Sequence, residues 1–206
     1  LVGSEMCIRD RIRAATQYSA ENTPLRAVGT ISDIDEEKRM VEELRRRAEL
    51  DALTGLYNHT ETERRSELYL ADKPDTICAM FIIDVDNFKL VNDGQGHLFG
   101  DAVLAELAAG MKKLTRKSDV IGRIGGDEFA IFLKDVPTAQ AAEEKALKLL
   151  DLFQHLFQGE KQPVEVTCSI GLAVYPWDGR DYQALYHCAD LALYQAKSQG
   201  KNQYAR

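Results

Sequence analysis

Residues 120–133 read VIGRIGGDEFAIFL. The runs VIGRI (120–124) and EFAIFL (128–133) flank Gly125, Gly126 and Asp127, a pattern that predicts an antiparallel hairpin. A tight turn calls for the glycines, but not for the acids Asp127 and Glu128 beside them. Glycines also let a backbone approach a bulky ligand and leave room for a phosphate or a nucleobase. A second acidic pair lies upstream. The run CAMFIID (78–84) reads as a buried strand ending at Asp84, with Asp86 two residues on. Carboxylates at a strand end either hold a hard cation, which prefers oxygen ligands, or cap the next turn. If the strand ending at Asp84 and the strand opening at Glu128 are neighbours, Asp84, Asp127 and Glu128 converge. A Mg²⁺-bound triphosphate suits such a site.

The chain around these runs alternates between helical and extended periods. Residues 60–71 form a charged helical run, and 99–114 (FGDAVLAELAAGMKKL) has a helical apolar period. Residues 138–157 predict a long helix opening on a Thr cap with Glu143 and Glu144 early. Residues 164–174 (VEVTCSIGLAV) alternate as a strand, and 181–200 predict a final helix ended by Gly200. Helices interleaved with strands and a hairpin predict an α+β fold, a mixed central sheet flanked by helices. Nearer the N-terminus, 25–33 (LRAVGTISD) suggests an edge strand. In the run 36–50, Met40, Val41, Leu44 and Ala48 share one stripe. That stripe suits an ordinary surface helix and a short two-stranded coiled coil equally. The chain opens on Leu1, so a fragment of a longer protein is expected. Residues 1–11 (LVGSEMCIRDR) show no amphipathic period and resemble translated adapter text, so no function is read from them.

The 206 residues suffice for one substantial domain and a short attachment. With 45% apolar and 29% charged residues, a wholly disordered chain is excluded. Acidic residues outnumber basic ones 33 to 26, for a net charge of −7, which argues against a nucleic-acid polymer as partner. No apolar stretch approaches the roughly 18 residues of a membrane span. Cys7, Cys78, Cys168 and Cys188 form no C-x-x-C pair. That spacing disfavours a zinc ribbon or a disulfide scaffold and fits a reducing cytoplasm.

GGDEF, residues 125–129, resembles the signature of the diguanylate cyclase (GGDEF) family, and three further blocks accompany it in order. These are DALTGLYN (51–58), DVDNFKLVNDGQGHLFGD (84–101) and DLALYQAKSQGKN (190–202). The resemblance covers essentially residues 51–206. It implies a palm-type, nucleotidyl-cyclase-like fold and a GTP-dependent nucleotidyltransferase that makes cyclic di-GMP as a homodimer. It further implies that Asp84, the Val85 carbonyl and Asp127 bind Mg²⁺, with Mn²⁺ an alternative. Glu128 lies beside the metal and, with Gly125, Gly126 and Asp127, forms the catalytic turn. Asn92 and Asp101 read the guanine edge, a pairing that adenine does not offer. Phe88 and Lys89 sit on a loop beside the phosphates. Lys197 and Lys201, spaced (i, i+4) on the last helix, neutralise the β- and γ-phosphates. Arg116 and Asp119, an R-x-x-D five residues before the glycine pair, match the family's product-inhibition site.

Residues 26–41 resemble the exit of a PAS sensor domain, with Asp33, Ile34 and Lys38 carrying the pattern. The expected organisation is therefore a PAS remnant (1–34), a signalling helix (35–50) and the cyclase domain (51–206). A bacterial cytoplasmic location is expected, with membrane attachment open to upstream segments. Where the family usually has Arg after the Asn of the first block, this chain has His59 and Thr60. His97, His155 and His187 read as structural, and Cys78 and Cys168 as buried thiols. Two other readings compete. One is a degenerate module that binds GTP or cyclic di-GMP without catalysis, although the acidic signature is intact. The other is a palm relative with a different substrate, which Asn92 and Asp101 disfavour.

Overall fold

The computed structural model describes residues 10–156 and 166–206. The ends of two expected elements, Phe157 of a helix and Val164 of a strand, lie outside those residues, as does most of 1–11. The chain divides into two compact units, Leu1–Ala48 and Glu49–Arg206. In the first, β1 (Asp10–Tyr18) and β2 (Pro24–Asp33) pair antiparallel. The strand expected at 25–33 is therefore present, and it has a partner that the sequence pattern did not announce. The connection closes where Ser19 N–H donates to the Thr23 carbonyl, with Asn22 at φ 61°. Helix α1 (Asp35–Glu49) follows, opening on Asp35, Glu36 and Glu37 and carrying Arg46 and Arg47 in its last turn. That order of charges complements the helix dipole. Its Met40, Val41 and Leu44 are exposed.

The second unit is a five-stranded mixed sheet. Its strands are β3 (Cys78–Val85), β4 (Val120–Arg123), β5 (Glu128–Leu133), β6 (Cys168–Tyr175) and β7 (Tyr204–Ala205), in the order β4-β5-β3-β6-β7. Central β3 is antiparallel to both neighbours, and β7 joins β6 in parallel. Strand alternation sends Phe81, Ile83 and Val85 to one face and Cys78, Met80 and Ile82 to the other. The first face packs on α4 (His97–Leu114) and α5 (Ala139–His155) through Leu104, Leu107, Leu149 and Phe153. The second packs on α2 (His59–Asp72) and α6 (Tyr182–Ser198) through Leu70, Tyr182, Leu185 and Leu193. Burying one such side chain as fully as Phe81 contributes roughly 1.5–3 kcal/mol.

Caps set the helix starts. The side chains of Asn58, Thr138 and Asp181 accept from the backbone N–H of Glu61, Ala141 and Ala184. Two glycines bring helices unusually close to the sheet. A Cβ on Gly171 of β6 would lie 1.8 Å from the Ala189 carbonyl of α6, and one on Gly122 of β4 would lie 1.9 Å from Thr62 Oγ1 of α2. Glycine lets helix backbone lie directly on strand backbone at position 171 and leaves room for the Thr62 side chain at position 122.

Two expectations about elements are corrected. Residues 88–95 are not a loop but a short helix, α3 (Phe88–Gln95), entered through Asn87 at φ 55°. Its Asn-Asp-Gly text reads as a turn, yet Phe88 is buried and anchors it. The last helix ends at Ser198, because Gly200 (φ 118°), Lys201 (φ 65°) and Asn202 (φ 49°) are all left-handed. Lys201 N–H returns to the Ala196 carbonyl to close that end.

Candidate active site

Asp84 and Glu128 are direct cross-strand partners on β3 and β5, with Asp127 next in chain in the turn before β5. Val85 N–H donates to the Asp127 carbonyl at 3.2 Å, which ties the turn to the end of β3. The three acids therefore meet at one sheet end, as the neighbouring-strand condition required. Lys197 of α6 places Nζ 2.8 Å from Asp84 Oδ2. Burial raises the Asp84 carboxyl above the usual range; the Lys197 ammonium opposes the shift, and Asp127 and Asp86 add to it. Glu128 is raised by burial and then by the Asp84 charge, with smaller contributions from Asp127 and Asp190. The site thus carries more negative charge than its own lysine offsets.

The glycines of the turn serve space rather than left-handed backbone, since neither has a positive φ. A Cβ on Gly125 would lie 2.8 Å from Glu128 Oε2, whereas Gly126 faces open space within 4 Å. The turn is held from behind by Arg123. Its Nε and one terminal nitrogen donate to the Gly126 carbonyl at 2.9 and 2.7 Å, and Nη1 lies 3.3 Å from both Asp51 oxygens. Burial alone would raise the Asp51 carboxyl. Hydrogen bonds from Thr54 and the Arg123 charge hold it below the usual range instead. Sequence reasoning passed over Arg123, whose signal would have been its place two residues before the glycine pair.

Asp86 departs from the sequence reading. It is almost fully buried and accepts from Thr167 Oγ1 (2.8 Å), Ser169 Oγ (2.7 Å) and Asn202 N–H (3.0 Å). It is a structural clamp that pins the segment after α6 to the end of β3, not a partner of Asp84 in holding a cation. Lys201 lies on the pinned segment, past the helix, so it shares no helix face with Lys197. Its Nζ nevertheless reaches Asn87 Oδ1 at 2.7 Å. Lys197 thus ends on Asp84 near the end of β3, and Lys201 on Asn87 in the β3–α3 connection.

Phe88 and Lys89 open α3, the first buried and the second exposed. Asn92 is half-buried on α3 with its side chain against Gly100 of α4, while Asp101 is exposed one residue further on. The two expected base readers thus lie at one α3–α4 junction. His155 pairs with Asp151 within α5, and His59 lies with its ring 6.3 Å from that of Tyr186. Cys78 and Cys168 are buried, as expected, and Cys188 is half-buried.

Among the described residues, no group of three or more His, Cys, Asp or Glu side chains forms a ready-made metal cage. Mg²⁺ is commonly bound through one or two carboxylates and completed by phosphates and water. Asp84, Asp127 and the Val85 carbonyl are hard oxygen donors, and their uncompensated charge calls for a cation. These residues fit the ion.

Arg116 and Asp119 lie elsewhere. They line two cavities of about 210 and 410 Å³, neither of which includes the carboxylate cluster. The two side chains do not form the surface ion pair that their spacing suggests. Asp119 accepts instead from the backbone N–H groups of Arg116 (2.8 Å) and Lys134 (3.2 Å), and the Arg116 side chain is exposed. Lys134, Lys145 and Lys148 line the smaller cavity too.

Residues 48–203 match the family model described as diguanylate cyclase, GGDEF domain. Over 156 residues the chain is 38% identical to the bifunctional diguanylate cyclase/cyclic di-GMP phosphodiesterase MucR of Pseudomonas aeruginosa, covering 75% of this chain and 23% of MucR. It is 35% identical over 175 residues to the probable diguanylate cyclase DgcC of Escherichia coli, covering 84% of this chain and 46% of DgcC. The chain therefore spans 23% and 46% of the length of these two relatives. The solved GGDEF domain of YfiN from Pseudomonas aeruginosa superposes with a TM-score of 0.72 at 34% identity, covering 76% of this chain and 92% of that one.

Proposed function

The chain belongs to the diguanylate cyclase GGDEF-domain family, and from that premise we propose that it is a working cyclase rather than a degenerate binding module. It condenses two GTP molecules into cyclic di-GMP. Each 3′-oxygen forms a bond to the α-phosphorus of the other GTP, each α-phosphorus loses its bond to the β-phosphate oxygen, and two pyrophosphates leave. The observation that carries this reading is the cross-strand pair of Asp84 and Glu128 with Asp127 beside it, an intact acidic set with Lys197 on Asp84 and Lys201 on nearby Asn87. Loss of the acidic signature is the mark expected of a degenerate module, and residues 125–129 retain it.

Asp84, Asp127 and the Val85 carbonyl would hold Mg²⁺, which supplies charge neutralisation at the triphosphate. Lys197 and Lys201 bind the β- and γ-phosphates and stabilise the departing pyrophosphate. Glu128, raised by burial and by the Asp84 charge, accepts the proton of the attacking 3′-hydroxyl. Asn92 and Asp101 orient the guanine. The open face of Gly126 admits the phosphates against the turn.

One domain holds one GTP and the product is two-fold symmetric, so two copies face each other across a dyad. Arg116 and Asp119, in a basic cavity away from the carboxylates, bind the product and restrain the enzyme: a guanidinium stacks on guanine or forks onto phosphate. Among the described residues no helix is long and apolar enough to cross a membrane. A GTP-consuming domain belongs in the cytoplasm, and the hairpin and α1 upstream serve as PAS remnant and signalling helix.

The test is to incubate the protein with GTP and Mg²⁺ and measure product by mass over a hundredfold range of protein concentration. Cyclic di-GMP forming with a specific activity that climbs with concentration is expected. GTP bound but unchanged would leave the binding-module reading. Flat specific activity from a demonstrated monomer would end the two-chain account.

A further inference from the structure

Gly100 sits in the first turns of α4, where glycine costs about 1 kcal/mol relative to alanine. It is buried, and its φ is not left-handed. Backbone conformation therefore gives no reason for a glycine there. Its surroundings do. A Cβ at this position would lie 1.9 Å from Asn92 Oδ1, 3.0 Å from Asn92 Cγ and 3.1 Å from Phe88 Cζ. The Asn92 carboxamide oxygen thus points into the space that a Gly100 side chain would fill, one residue before Asp101.

The means of relieving that contact decide its meaning. Phe88 is buried under α3 and has nowhere to go. The Asn92 side chain is half-buried and can rotate outward at little cost. A methyl group at position 100 therefore displaces the carboxamide rather than the fold. We propose that Gly100 is a positioning residue for base selection, its missing side chain seating the Asn92 carboxamide beside Asp101 so that the pair addresses one guanine edge. The proposal rests on the GTP reading of the site and adds to it the element that sets the specificity. Gly100 itself touches no part of the substrate.

The experiment uses the full chain with Mg²⁺ and two nucleotides that lack the attacking hydroxyl, 3′-deoxyguanosine triphosphate and 3′-deoxyadenosine triphosphate. Affinities and thermal midpoints are measured for the unaltered protein and for Gly100→Ala. Loss of one or two hydrogen bonds to the base corresponds to about tenfold weaker guanine binding. Gly100→Ala is expected to lose that much for the guanine nucleotide, to bind the adenine nucleotide unchanged and to melt no lower. Unchanged guanine preference, or equal loss for both nucleotides, would overturn the proposal. If Gly100→Ala melts lower, the double variant Asn92→Ala/Gly100→Ala must recover the loss, and a double variant as unstable as the single one refutes the contact with Asn92. An unaltered protein with no preference for guanine would instead refute the underlying reading of the site.

Discussion

Glu128 lies opposite Asp84 on the neighbouring strand, and burial together with that charge holds its carboxyl above the usual range. A carboxyl raised in the folded state stabilises the fold only at low pH, and that contribution is lost as pH rises through the folded value. At neutral pH the ionised Glu128 therefore works against folding, as residues retained for chemistry often do. Glu128→Gln is expected to raise the melting temperature at pH 7 by about 1–3 °C, with the gain shrinking toward pH 4. A lower midpoint at pH 7 would contradict the electrostatics described here. Asp51 has the opposite sign: its lowered carboxyl stabilises at neutral pH and loses that effect on acidification. At this scale the acids of the turn were legible in the sequence because a hairpin does not require them. Asp86 was not, because its partners Thr167, Ser169 and Asn202 are 81, 83 and 116 residues distant along the chain. Nothing local separates a metal-ligating Asp from one clamped by remote donors.

Among the elements, α6 matters most to the site, since it carries Lys197 and leads into Lys201. Its seat is the contact of its backbone with Gly171 of β6. Here the obstacle to a side chain is a carbonyl and an amide, which cannot rotate aside as Asn92 can. Gly171→Ala must lift the helix, an overpacking cost of about 3 kcal/mol, which for a domain of this size lowers the melting temperature by roughly 6–12 °C. Cyclase activity is expected to fall with it, because Lys197 moves away from Asp84. A variant that melts within a degree of the parent would show that the helix seats elsewhere. The long elements were readable from their periods: β3, β5, α4, α5 and α6 all lie where apolar spacing predicts them. Helix α3 was missed because eight residues span barely two turns and its Asn-Asp-Gly text favours a turn. The two-residue β7 was missed because its pairing with β6 leaves no periodic trace. The (i, i+4) spacing of Lys197 and Lys201 does not put them on one helix face. A helix end lies between them, and past it Lys201 reaches Asn87, while Lys197 reaches Asp84 of β3.

For the molecule as a whole, the sheet gathers residues from four separated stretches of chain at one end of β3. The cavities lined by Arg116 and Asp119 lie apart from that cluster. The family blocks in the sequence pointed to the acidic cluster and to the Arg116 and Asp119 pair. They did not give the Asp51–Arg123–Gly126 brace that holds the catalytic turn. The proposed condensation of GTP depends on an ion held by Asp84 and Asp127. The direct measurement is Mg²⁺-dependent formation of cyclic di-GMP by the parent protein, Asp84→Asn and Asp127→Asn, with folding monitored by circular dichroism. Each variant loses an anionic oxygen donor to a hard cation, so both are expected to stay folded and to lose at least a hundredfold in rate, about 2.7 kcal/mol in barrier. Near-parental turnover in either folded variant would contradict the assignment of the site.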